Sequence, residues 1–79
     1  MRLDKYLKVS RLIKRRTVAN EACDAGKVLV NNKPARASYE VKVDDVITLT
    51  LGARQLSAQV VSIQETVAKN DASMLYKIL

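Results

Sequence analysis

The stretch Arg2-Leu3-Asp4-Lys5-Tyr6-Leu7-Lys8-Val9-Ser10-Arg11, followed by Arg15-Arg16-Thr17-Val18-Ala19-Asn20-Glu21-Ala22-Cys23-Asp24-Ala25-Gly26, has helical spacing and a helical stop. Leu3, Leu7 and Val9 or Ser10 fall toward one side, which predicts a short helix from about Asp4 to Arg11 with the Asp4 carboxylate as its cap. Val18, Ala19, Ala22, Cys23 and Ala25 recur at spacings of three and four, which predicts a second helix from Arg15 or Arg16 to Ala25. Gly26 then suits the left-handed residue just past a helix end.

Beyond Gly26 the apolar period shortens to that of a strand. Val28-Leu29-Val30 reads as a short strand, Asn31-Asn32 tolerates the positive φ of a tight turn, and Pro34 forbids a long continuation. Val41 and Val43 alternate around Lys42, Asp44-Asp45 reads as a turn, and Val46 to Leu51 alternates as a half-buried strand. Gly52-Ala53-Arg54 reverses the chain into a strand holding Leu56, Ala58, Val60 and Ile63. Residues 67–73 read as loop, and Met74 to Leu79 as a closing strand. The predicted fold is α+β: two N-terminal helices packed on a small antiparallel sheet of four to five strands.

The 79 residues suffice for one domain, with a helical part over about 1–26 and a β part over about 27–79. Apolar residues make up 48% of the chain, enough for a globular core. The chain has one cysteine and no histidine, so an intramolecular disulfide, the usual zinc sites, Ser/His/Asp triads and Cys/His pairs are excluded. The expectation is a protein without enzymatic activity and without a cofactor or metal. No apolar run reaches membrane-spanning length and none forms a signal-peptide core, so the expected location is cytoplasmic. An organelle transit peptide fits poorly, because such segments are also rich in serine.

The net charge of +6 is distributed unevenly. Residues 1–36 hold ten Lys or Arg against three acids, +7, whereas residues 37–79 hold four against five, −1. So polarised a field attracts a polyanion, either nucleic acid or an anionic membrane surface. A membrane role needs a large apolar face opposite the charge, and the helices are too short for one.

Arg2-Leu3-Asp4-Lys5-Tyr6-Leu7, Ser10-Arg11, Arg15-Arg16-Thr17, Gly26-Lys27-Val28-Leu29-Val30-Asn31 and Val43-Asp44-Asp45-Val46-Ile47 together resemble the S-four type RNA-binding domain, or alpha-L motif. That family is named for ribosomal small-subunit protein four and occurs in pseudouridine synthases, a tyrosyl-tRNA synthetase and ribosome-rescue factors. Where its pattern has glycine, this chain has Asn32 and Asp44, the next most tolerant residue types for positive φ. The family-level resemblance covers residues 1 to about 51. With Met74-Leu75-Tyr76 it extends over the whole chain to a free-standing bacterial branch of the family.

The resemblance implies an rRNA- and tRNA-binding factor on stalled large ribosomal subunits carrying peptidyl-tRNA. It further implies assistance to C-terminal tailing in ribosome-associated quality control, beside a tail-adding protein on the same subunit. The free protein is expected to be a monomer. Alternatives are a heat-shock-type recycling factor for large subunits, or an RNA-binding appendage that recruits a separate RNA-modifying enzyme.

The candidate RNA-binding residues are Arg2, Lys5, Lys8, Arg11, Lys14, Arg15, Arg16, Thr17, Lys33 and Arg36. Lys8, Arg11 and Arg15 form one ridge, with Lys5 a turn earlier, if helical geometry carries through. Arg16 and Thr17 open the second helix, whose unpaired N–H groups favour phosphate. Arg2 stands outside the first helix, and Lys33 and Arg36 flank from the strand-connecting loop. With three Tyr and no Phe or Trp, the sheet lacks a stacking platform for single strands, which favours folded RNA read by shape. For charge and spacing alone, a solvated helix face is the commoner explanation, and it is the motif that turns the reading to RNA. Asp4 reads as a cap rather than a catalyst, Cys23 as a small core residue and Asp44-Asp45 as a turn rather than a magnesium site. Tyr6 suits either the core or a ribose contact.

Overall fold

The computed structural model describes residues 1–64 and 75–79. In chain order the elements are α1 (Leu3–Val9), α2 (Arg16–Asp24), β1 (Val28–Val30), β2 (Lys33–Pro34), β3 (Val46–Leu51), β4 (Arg54–Val60) and β5 (Tyr76–Ile78). The five strands make one sheet in the order β2-β1-β3-β4-β5, with every neighbouring pair antiparallel. The expected α+β architecture is therefore present. The loop expected over 67–73 and its neighbour Met74 lie outside the described residues.

The sheet alternates as period two requires. Val28, Val30, Ile47, Leu49, Ala58 and Val60 are buried. Thr48 and Ser57, which pair across β3 and β4, share a hydroxyl hydrogen bond of 3.1 Å. Leu3, Tyr6 and Leu7 of α1, at spacings of three and four, and Ala19 and Cys23 of α2 fill the other side of the core. Burial raises the Cys23 thiol to about 11, with Asp4 and Asp24 adding to the shift, so the thiol is a core group held uncharged at neutral pH.

The helix stops are built from backbone hydrogen bonds. Gly26, at φ 73°, donates to the Cys23 carbonyl, and Lys27 N–H reaches the Ala22 carbonyl, closing α2 as expected. The end of α1 uses the same device with an unexpected residue. Arg11 adopts φ 63°, its N–H meets the Lys8 carbonyl, and Ile13 N–H meets the Leu7 carbonyl. The helix therefore ends at Val9, two residues short of expectation, and Ile13 is folded back into the core.

The start of α1 also departs from expectation. Its cap is Arg2, with no side-chain capping bond, and Asp4 lies inside the first turn. The N–H groups of Leu3 and Asp4 donate to the carbonyls of Tyr39 (2.8 Å) and Ala37 (3.1 Å), and that of Lys5 to the Asp4 carboxylate (2.8 Å), so the connector after β2 caps most of the first turn and Asp4 takes one donor from inside it.

Asn31 and Asn32 have φ of 52° and 68°, forming a two-residue turn that joins Val30 to Lys33, and Asp44 has φ 78°. Asn32 and Asp44 thus occupy the left-handed positions where the family pattern has glycine. Val41 and Val43 do not form a strand. Val41 is buried and bonded through its N–H to the Met1 carbonyl, while Val43 is exposed in a turn. Nor does Ile63 extend β4, which ends at Val60, where the N–H groups of Val61 and Ser62 both turn to the Leu75 carbonyl.

Candidate nucleic-acid interface

Arg2, the residue that caps α1, and Arg16, the first residue of α2, meet on Asp4. The Asp4 side chain is 3% exposed, while those of Arg2 and Arg16 are 48% and 46% exposed. Arg2 Nε lies 3.3 Å from Asp4 Oδ1 and its Nη2 3.4 Å from Oδ2. Arg16 approaches in the crossed sense, with Nε 3.3 Å from Oδ2 and Nη2 3.5 Å from Oδ1. Asn20 Nδ2 at 3.4 Å and the Lys5 backbone N–H at 2.8 Å complete the donors to this carboxylate.

Burial alone would raise the Asp4 pKa, but the hydrogen bonds from Arg16, Lys5 and Asn20 outweigh it and hold the carboxyl below its ordinary value. Asp45 is governed by the same balance. Its burial is outweighed by the Lys42 N–H, the Tyr39 hydroxyl and the Asn31 amide, at 2.9, 2.9 and 3.1 Å. Both carboxyls are lowered relative to the unfolded value of 3.8, so the unfolded chain binds more protons just below that pH. Their contribution to stability is complete above pH 3.8 and is lost as pH falls through the folded values. A thermal melting series is expected to show no loss from these groups between about pH 7 and 5, then a fall below about pH 4. In Asp4→Asn that acid fall becomes shallower.

The other candidates are placed less tightly. Thr17 shares with Arg16, Asn20 and Glu21 the shallow depression that contains Asp4. Lys33 and Arg36 line a second depression beside Pro34 and Tyr39. The two areas are joined through the backbone, because Asp4 N–H binds the carbonyl of Ala37, next to Arg36. Lys5 is half-buried on α1, while Lys8, Arg11, Lys14 and Arg15 are exposed on its last turn and on the connector. The single ridge expected from Lys8 to Arg15 does not form as a helix face, because Arg11 leaves the helical phase.

Tyr6 is fully buried and its hydroxyl donates to the Leu75 carbonyl at 2.6 Å, so the structure places it in the core. Two members of the cluster escaped the sequence reading. Asn20 was legible in principle, four residues after Arg16 on one helix face. The role of Asp4 as a shared anion was not, because Arg2 and Arg16 reach it from different helices. Among the described residues, no group of three metal-ligating side chains occurs and no helix is long and apolar enough to cross a membrane.

The S4 domain family matches residues 1–47. The chain is 47% identical over 79 residues to the RQC P-site tRNA stabilizing factor of Bacillus subtilis, covering all of this chain and 92% of that one. It is 46% identical over 78 residues to the protein of the same name from Halalkalibacterium halodurans, covering 99% and 89%. Among solved structures, a trimeric Heat Shock Protein 15 from Vibrio cholerae superimposes with a TM-score of 0.92 at 30% identity, covering all of this chain and 81% of that one. With Arg2, Asp4 and Arg16 clustered at the start of two helices on a five-stranded sheet, and with this agreement over its whole length, the chain belongs to the S4 domain family.

Proposed function

We propose that this protein is a non-enzymatic RNA-binding factor that associates with stalled large ribosomal subunits carrying peptidyl-tRNA. There it contacts both rRNA and the tRNA and assists C-terminal tailing by a separate tail-adding protein. The observation that carries this reading is the pair of half-exposed guanidiniums, Arg2 and Arg16, gathered at one carboxylate in the +7 half of the chain. Paired arginines of this kind suit phosphate, which they bind through two parallel N–H bonds. Relatives named for stabilising a P-site tRNA, aligned over nearly the whole chain, support the choice of partner.

The test is co-sedimentation with purified large subunits, with and without peptidyl-tRNA. Binding is expected to be stronger on subunits that carry it, and protein left in the supernatant with both defeats the reading. If about six phosphates are neutralised, log K falls against log[salt] with a slope of about −4 to −5. A slope near zero, from a titration between about 50 and 200 mM salt, would show that phosphate contacts do not drive binding.

A second reading, recycling of large subunits in the manner of a heat-shock factor, is favoured by the fold agreement with Heat Shock Protein 15. A reconstituted tailing reaction separates the two. Tail addition that depends on this protein supports the first reading, and undiminished tailing with retained subunit binding supports the second.

A further inference from the structure

The two guanidiniums on Asp4 are each held by the same edge. Arg2 and Arg16 both turn Nε and Nη2 toward the carboxylate, in crossed pairs of 3.3–3.5 Å. Among the described residues nothing pairs with the Nη1 of either, and each side chain is about half exposed. The edge facing Asp4 is thus occupied while the terminal fork of each guanidinium remains free. Asn20 and the Lys5 N–H fix the carboxylate in turn, and its carboxyl, lowered by these bonds, is ionised at neutral pH.

We infer that Asp4 is a positioning residue, an anion that strengthens the grip on a polyanion by holding the forks of Arg2 and Arg16 in place before RNA arrives. The inference rests on the RNA-binding reading above. Long-range charge alone makes the opposite prediction, since neutralising an acid raises the net charge and favours nucleic acid. Ordering two long side chains in advance removes an entropic cost that free arginines meet on binding, and here that gain outweighs one unit of repulsion. Asn at this position still accepts the Lys5 N–H through its oxygen, but its amide turns a donor toward the arginines and releases them.

The test has two arms on the full chain. In the first, nitrogen NMR of the arginine side chains is expected to show hindered guanidinium rotation for Arg2 and Arg16 in the wild-type protein. Free rotation there overturns the inference whether or not any variant folds. In the second, Asp4→Asn is titrated onto large subunits carrying peptidyl-tRNA, at a temperature where its own melting curve shows it folded. Binding is expected to weaken about tenfold with the salt slope unchanged, because the phosphates contacted are the same. Binding equal to or tighter than wild type overturns the inference while leaving the RNA-binding reading intact. Wild-type protein that fails to pellet with the subunits removes that reading and this inference with it.

Discussion

Replacing Arg2 and Arg16 together by alanine is expected to weaken binding to large ribosomal subunits at least about a hundredfold, read at a temperature where the variant is folded. Hydrogen bonds to charged groups contribute about 1.5–3 kcal/mol each, so two arginine–phosphate contacts account for about 3 kcal/mol or more at the lower end. The expected loss is large because the two forks sit at one place, held by the same carboxylate, where a single stretch of RNA backbone would meet both. The salt slope should flatten by about 1.4 to 1.8, the share of two phosphates. That flattening separates direct contact from a general decline in positive charge. Removing Lys8 and Lys14 lowers the net charge equally, yet these side chains are exposed and engaged by no other described residue, so their loss should cost less. Equal losses from the two double variants, read by the same co-sedimentation titration, would mean that Arg2 and Arg16 are ordinary members of a diffuse basic surface. The fold control is a melting curve, since the double variant also leaves Asp4 with fewer partners in a nearly closed site.

Much of this fold was readable because its signals are local. Gly26 past α2, the two-residue reversals at Asn31-Asn32 and Gly52-Ala53, and the alternation in β3 and β4 each depend on residues within a few positions. Even the substitution of family glycines by Asn32 and Asp44 could be judged from φ preferences alone, and the structure places both in the left-handed region. What failed was set at a distance or by an atypical residue. The start of α1 is fixed by carbonyls of Ala37 and Tyr39, which no local pattern connects to Leu3 and Asp4. Besides taking the first-turn N–H of Lys5, Asp4 is the shared partner of arginines at the starts of two helices. Arg11 took a backbone conformation usually left to glycine, which dissolved the ridge that a continuous helix would have carried. Asp45, expected in a simple turn, is buried and binds Tyr39 and Asn31, tying the β1–β2 turn to the approach to β3. The candidate site was therefore legible as a list of cations, but its organisation around one acid was not.

Tyr6 separates a core role from an RNA role by the sign of two measurements. It is fully buried, and its hydroxyl bonds to a carbonyl at the far end of the chain, linking α1 to the approach to β5. Desolvation, with Tyr76 adding to it, raises its pKa above the ordinary tyrosine value, so the phenol stays protonated and remains a donor. Tyr6→Phe keeps the ring and removes one hydrogen bond, a loss of about 1 kcal/mol. The cost stays small because the Leu75 carbonyl still accepts from Val61 and Ser62. Tm should drop by a few degrees while subunit binding is unchanged. Tyr6→Ala empties the space between α1 and the sheet, at about 3–5 kcal/mol. A domain of this length has only about 4–12 kcal/mol in total, so Tm is expected to fall by about 20 °C, and much of the protein to be unfolded at physiological temperature. A ribose contact would give the reverse pattern, with Tyr6→Phe binding subunits more weakly at an unchanged Tm. Calorimetry and co-sedimentation on that one variant therefore decide whether the only aromatic residue in the first helix serves the core or the RNA.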